Sequence, residues 1–248
     1  MQHIELIGIS GSGKTTLWSE LLSANPALSS LEGAHGQVVC DRVFPDGASA
    51  AARRLPDRAL FHFSRLLGLV DRGVHYFCTK YPRMLPRTGE YLDYYTDDPD
   101  RRDNLAKMIL GLVERFGTVE HFAHDDLSLV IDEGFAHRVS SVLCPPRSSR
   151  SYSEDHLRKY VGSIPVPDYC LFLRASPRVC EARMRSRRDG YPRGCEDLGR
   201  EEYVSVLEES EACMQATLDL LAAEGTTVIE VDTEDAALDD VVARVTGT

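Results

Sequence analysis

Gly8-Ile9-Ser10-Gly11-Ser12-Gly13-Lys14-Thr15 matches the pattern G-x-x-x-x-G-K-[ST] in full, and it follows the apolar run Ile4-Glu5-Leu6-Ile7 directly. Residues of these types at this spacing suit one task, holding a phosphate chain. Glycines let successive backbone N–H groups turn inward around an anion. Lys14 brings a point charge to the β- and γ-phosphates, and the Thr15 hydroxyl is placed to ligate Mg²⁺. A helix predicted from about residue 14 to 24 directs its positive end at the same phosphates. The cradle is expected to run from Gly8 through Ser10, Gly11, Ser12, Gly13 and Lys14 to Thr15 and Thr16. Its predicted ligands are a nucleoside triphosphate, ATP, and Mg²⁺.

Three further groups of residues carry chemistry. The run Leu127-Ser128-Leu129-Val130-Ile131-Asp132-Glu133-Gly134 reads as a buried strand ending in two acids. Asp132 is expected to hold Mg²⁺ through water, and Glu133 to orient a water or an acceptor. Val38-Val39-Cys40-Asp41-Arg42 reads as the end of a second strand. Ligands of open α/β sheets sit at such ends, so Asp41 is the expected base for an acceptor hydroxyl and Arg42 a clamp on an anionic acceptor. Five arginines fall between Arg183 and Arg193, with Arg183 and Arg187 one helical turn apart. Phosphoryl transfer consists mostly of positioning and charge neutralisation, which Arg187 and Arg193 would supply from a lid over about residues 183–198. Gly190 and Pro192 would break the helix there and let it move. Lys80 and Arg83 are candidate acceptor contacts. His121 and His124 have the ordinary spacing of a polar helix end and are not read as a metal site.

These groups need elements to position them. Strands are predicted at 4–8, 37–40, 127–132, 169–173 and 227–231, mostly as continuous apolar runs covered on both faces. Helical patterns separate them, the clearest being Leu105, Met108, Ile109, Leu112, Val113 and Phe116. Others are predicted near 57–73, 101–116 and 200–223. Alternation of this kind predicts right-handed βαβ units and a doubly wound parallel sheet. An insertion over about residues 45–126 is expected on the acceptor side. Within it, the aromatic and basic segment from His75 to Tyr95 reads mostly as loop, with its tyrosines either lining a pocket or packing. Residues 145–153 read as a polar surface loop.

Composition bounds the function. The 248 residues suit one domain over 1–248 with an inserted subregion. A formal charge of −11 argues against a partner that is a nucleic-acid polymer. Seven cysteines show no C-x-x-C or zinc spacing and read as reduced thiols. No secretory leader or 18-residue apolar span is recognised, so a cytoplasmic protein without a membrane partner is expected. A homodimer is an assembly open to it.

The order of motifs resembles the P-loop kinases of the thymidylate kinase and deoxynucleoside kinase group. Similarity rests on the N-terminal loop and on Pro167-Asp168-Tyr169-Cys170-Leu171-Phe172-Leu173, followed by Ser176-Pro177-Arg178 and Ala182-Arg183-Met184-Arg185-Ser186-Arg187. The ending Val228-Ile229-Glu230-Val231-Asp232-Thr233 is also similar, and it covers with the rest about half of the chain. The resemblance implies a three-layer P-loop fold with a five-stranded parallel sheet in the order 2-3-1-4-5. It implies Arg183 against adenine, Arg187 on the phosphates, and Thr233 near the base. This chain has Asp132-Glu133-Gly134 where those kinases show Asp-Arg or Glu-Arg-Ser, and Asp41-Arg42 where they show Arg-Glu-Pro or Glu-Pro. The expected activity is ATP- and Mg²⁺-dependent phosphotransfer to a nucleoside, nucleotide or other small-molecule acceptor. The alternative is a regulatory P-loop NTPase that hydrolyses ATP without one.

Overall fold

The computed structural model describes residues 1–43, 56–124, 126–188, 190–192 and 194–234. Five strands form one sheet: β1 (Gln2–Ile7), β2 (Leu28–Ser30), β3 (Ser128–Asp132), β4 (Tyr169–Arg174) and β5 (Thr227–Asp232). Every pairing is parallel and the order is β2-β3-β1-β4-β5. β1 is central because its residues are apolar or paired on both sides. Ile4 and Leu6 face one cluster and Ile7 the other. The register sets Leu6 abreast of Asp132, so the acid at the tip of β3 stands beside the segment that leaves β1.

The described helices are α1 (Lys14–Ala24), α2 (Leu31–Val43), α3 (Asp57–Leu66), α4 (Leu69–Lys80) and α5 (Met84–Tyr95) in the first half. α6 (Pro99–Phe122), α7 (Phe135–Leu143), α8 (Glu154–Val161), α9 (Pro177–Arg185) and α10 (Arg200–Ala223) complete them. Leu17 and Leu21 of α1 pack on Ile4, Leu6, Val130, Leu171 and Val231. On the opposite face Leu105, Ile109, Val113 and Phe116 of α6 meet Phe135 and Val139 of α7 and Leu207 and Leu218 of α10. α6 starts sharply because Pro99 takes the first helical position and the Asp98 carboxylate accepts the Asp100 amide at 2.9 Å. Among the described residues no helix is long and apolar enough to cross a membrane.

Two expectations need correction. The second strand is Leu28–Ser30, and Gln37 to Cys40 lie inside α2. Leu31, Ala34 and Val38 form one apolar stripe, while Val39 and Cys40 pack on Leu60 and Leu69, so α2 is apolar on two sides and mimics a buried strand. The true strand is a short edge with two serines and carries almost no apolar signal. The segment from His75 to Tyr95 is helical in α4 and α5 rather than loop. Pro82 falls between the two helices, and Pro86 in the first turn of α5, where it breaks nothing. Met84, Thr88, Tyr91, Leu92 and Tyr95 form the buried stripe of α5, and Tyr91 and Tyr95 stack around His156 and Tyr160 as packing. The expected loop at 145–153 has no helix or strand.

Candidate active site

The segment between β1 and α1 turns back on itself, with the Ser12 amide donating to the Ile9 carbonyl at 3.1 Å. Gly11 has φ +91°, and a β-carbon there would lie 2.6 Å from the Cys180 carbonyl oxygen of α9. Only glycine fits such an approach. α1 opens at Gly13 with no side-chain cap. The amides of Gly13, Lys14 and Thr15 have no acceptor among the described residues, as the free first turn of a helix requires. This end carries a concentration of partial positive charge.

Lys14 is buried, and its ammonium donates to the carbonyls of Gly8 at 2.7 Å and Ile9 at 3.2 Å. Burial pushes its pKa below the ordinary lysine range, against the pull of Glu133 and Asp132. The Thr15 hydroxyl donates to Asp132 Oδ2 at 3.1 Å. Asp132 Oδ1 is buried with no partner among the described residues, and burial raises the pKa of this carboxyl although Lys14 opposes the rise. A hydroxyl, one carboxylate and an orphaned carboxylate oxygen suit Mg²⁺, which keeps several waters and takes few protein ligands. No denser group of three His, Cys, Asp or Glu that could hold a metal occurs among the described residues.

On the β4 side, Arg183 of α9 donates to the Gly11 carbonyl at 3.3 Å and to the Thr233 carbonyl at 3.1 Å. The Thr233 hydroxyl in turn donates to the Ser12 carbonyl at 2.9 Å. Arg183 and Thr233 therefore brace the glycine segment together. Arg187 follows in the turn after α9 with its side chain exposed. Arg193 lies outside the described residues.

Two cavities meet at Met108, Glu133 and Arg138, next to Asp132. The first, about 430 Å³, is lined by Glu32, Leu112, Arg115, Asp132, Glu133 and Arg138 among others. The second, about 310 Å³, includes Ser10, Arg101, His137 and Tyr203. Met108, Glu133 and Arg138 line both, so they are two lobes of one cleft. Glu133, held at φ +60°, pairs with Arg138 at 2.5 Å across the partition. Burial, with Lys14 and Arg138 nearby, keeps His137 neutral well below the usual imidazole range.

Other predicted residues stand elsewhere. Asp41 and Arg42 occupy the last turn of α2, where Asp41 accepts from Gln37 and Arg42 lies over the Phe122 ring. They line a separate cavity of about 930 Å³ with Leu28, Phe122 and Leu127, by the amino ends of β2 and β3. That is the sheet end opposite the glycine segment, because α2 starts at the carboxyl end of β2 and runs back. Lys80 pairs with Glu120 at 2.8 Å in the last turn of α6, about 18 Å along the helix from Met108. Arg83 is exposed just before α5, next to that same end.

Glu32, Arg115 and Arg138 in the first lobe escaped the sequence reading, as did Arg101, His137 and Tyr203 in the second. Glu32 stands in the first turn of α2, directly after β2, and takes the place expected of Asp41. Its signal was available, since a serine directly before an apolar stripe marks a helix start, and the Ser30 hydroxyl here accepts the Gly33 amide at 3.0 Å. Arg138, one turn into α7, brings a guanidinium onto Glu133. No protein-family model matches the chain, and no curated protein matches it at a significant level.

Proposed function

We propose that this chain is a P-loop phosphotransferase that moves the γ-phosphoryl group of ATP to a small-molecule acceptor in the cleft beside Glu133 and Arg138. The observation that carries this reading is the Thr15–Asp132 pair at the mouth of an uncapped helix, opening on a cleft lined by both signs of charge. Mg²⁺, when bound at Thr15 and Asp132, would supply neutralisation of the β- and γ-phosphates. The free amides of the first turn of α1 bind the phosphates, and Lys14 exchanges its two carbonyl partners for phosphate oxygens. Lys14 and Arg138 face the charge that builds on the transferring group. Glu32, free of an ion pair among the described residues, is our choice of base. It takes the proton of an acceptor hydroxyl as the O–P bond forms and the bond to ADP breaks. Glu133 is tied to Arg138 and serves to hold it. All seven cysteines are free thiols, which suits a reducing cytoplasm.

The reading is tested by ADP formation across nucleosides, nucleoside monophosphates and sugar-like alcohols, each with MgATP. One acceptor class should raise turnover sharply, and Lys14→Met and Asp132→Asn should each lower it by about 100-fold or more. Phosphate release at the same rate without any acceptor would instead favour a regulatory NTPase. Undiminished turnover in Asp132→Asn would remove the metal site.

A further inference from the structure

The second lobe of the cleft holds polar groups with no partner. Arg101, in the first turn of α6, has no carboxylate within ion-pair distance among the described residues. Its Nε is buried without an acceptor, and its guanidinium lies against the Cys195 thiol and Gly194. Tyr203 of α10 is 1% exposed, its ring stacked on Tyr191 at 4.1 Å, and its hydroxyl approaches Ser10 without forming a well-aligned hydrogen bond among the described residues. His137 of α7 is 7% exposed, and its Nδ1 is likewise orphaned.

Buried polar atoms without partners are rare and point to an absent ligand or water. Here the three residues that carry such atoms line one cavity, each from a different helix, so the arrangement is set by packed helices rather than by the chance of a loop. Among the described residues the single carboxylate lining the lobe is Glu133, which pairs with Arg138. What remains is a desolvated guanidinium fork, a hydroxyl donor and a neutral imidazole. A guanidinium in this setting prefers an oxyanion that it can grip with two N–H groups.

Resting on the phosphotransferase reading, we infer that the acceptor is a phosphate monoester, anchored in this lobe by Arg101 and Tyr203 while transfer takes place in the first lobe. Neutral alcohols of the same skeleton leave Arg101 buried without a counter-charge and bind poorly. Arg101 and Tyr203 therefore set which acceptors are used.

The test is equilibrium dialysis of radiolabelled inorganic phosphate against the full chain saturated with MgADP, so that the loop is already filled. One phosphate per chain is expected, with affinity lowered at least about tenfold in Arg101→Gln and about threefold in Tyr203→Phe. ADP affinity should stay unchanged in both, which also reports intact folding. Equal phosphate affinity in wild type and both variants overturns the inference and leaves the ATP reading standing. Failure of the wild-type chain to bind ADP overturns that reading instead. If Arg101→Gln unfolds, Tyr203→Phe and Arg101→Lys carry the comparison, and unchanged phosphate affinity in that pair is equally fatal.

Discussion

Burying the Asp132 carboxylate carries a cost to the folded chain. Burial raises its pKa, so the folded state binds that proton more tightly than the unfolded state. The stabilisation from the protonated form is complete below the ordinary carboxylate range and is lost as pH rises through the raised value. At neutral pH the charged carboxylate therefore destabilises, and Mg²⁺ would compensate for it. Asp132→Asn should unfold at the same or a higher temperature than wild type without metal, yet lose the Mg²⁺-dependent part of ATP affinity. In wild type that part should fade on acidification at a pH above the ordinary carboxylate value; calorimetric titrations at several pH values read both effects. Gly11 is the second sensitive residue. Gly11→Ala combines a left-handed backbone with a β-carbon against the Cys180 carbonyl, and should cost about 1–3 kcal/mol in denaturant unfolding. A change under a few tenths would mean that α9 gives way freely.

At the scale of elements, α7 is set in place by β1. The fully buried Glu5 carboxylate accepts the Phe135 amide at 3.0 Å and the Ala136 amide at 2.8 Å, with the His3 imidazole 3.0 Å from one oxygen. It satisfies two of the free donors at the start of α7, where a negative charge is favoured. Gly134 leaves room for it, since a β-carbon there would strike the carboxylate. Glu133 and Arg138 flank this anchor, so Glu5→Ala should destabilise by about 2–4 kcal/mol and lower acceptor turnover more than ATP affinity. Equal losses in both would show an effect on the whole fold. Such anchoring is invisible in sequence, because Glu5 interrupts an apolar strand without saying what it meets 130 residues later. The same limit explains the other misses. The parallel strand order came from the family resemblance, whereas the Gly8–Thr15 segment and the acidic tip of β3 at Asp132 were legible because a continuous apolar run and a fixed glycine spacing encode them locally. β2 was not, being a three-residue edge, while the two-sided apolar surface of α2 imitated a strand. That exchange puts Glu32, rather than Asp41, directly after β2. Arg138 was hidden because its role depends on one helical turn of α7 folding back over Glu133.

Across the whole molecule, the helices that close the first lobe are joined at a buried histidine. The His35 ring of α2 lies tilted against Phe61 of α3 at 5.5 Å, and Arg115 of α6 covers the Phe61 ring. The Nε2 of His35 is buried without a partner among the described residues. Burial, reinforced by the Arg115 charge, lowers its pKa from 6.5 to about 4. The folded chain thus refuses a proton that the unfolded chain accepts. Stability from the neutral ring is complete above about pH 6.5 and is lost progressively as pH falls toward about 4, to a limit of about 3 kcal/mol. His137, held neutral in the second lobe, acts in the same direction. With a formal charge of −11 the chain gains from a falling net charge over this interval, so general repulsion predicts the opposite trend. The two histidines should win, because each is buried while the surface charges are screened. Denaturant midpoints should therefore fall between pH 6.5 and 4.5 in wild type. His35→Leu, which keeps an apolar body and removes the orphaned nitrogen, should flatten that fall and match or exceed wild type at pH 7. Parallel pH profiles for the two proteins would mean that His35 takes up its proton in place, and that the contact between α2, α3 and α6 opens in acid well before the sheet does.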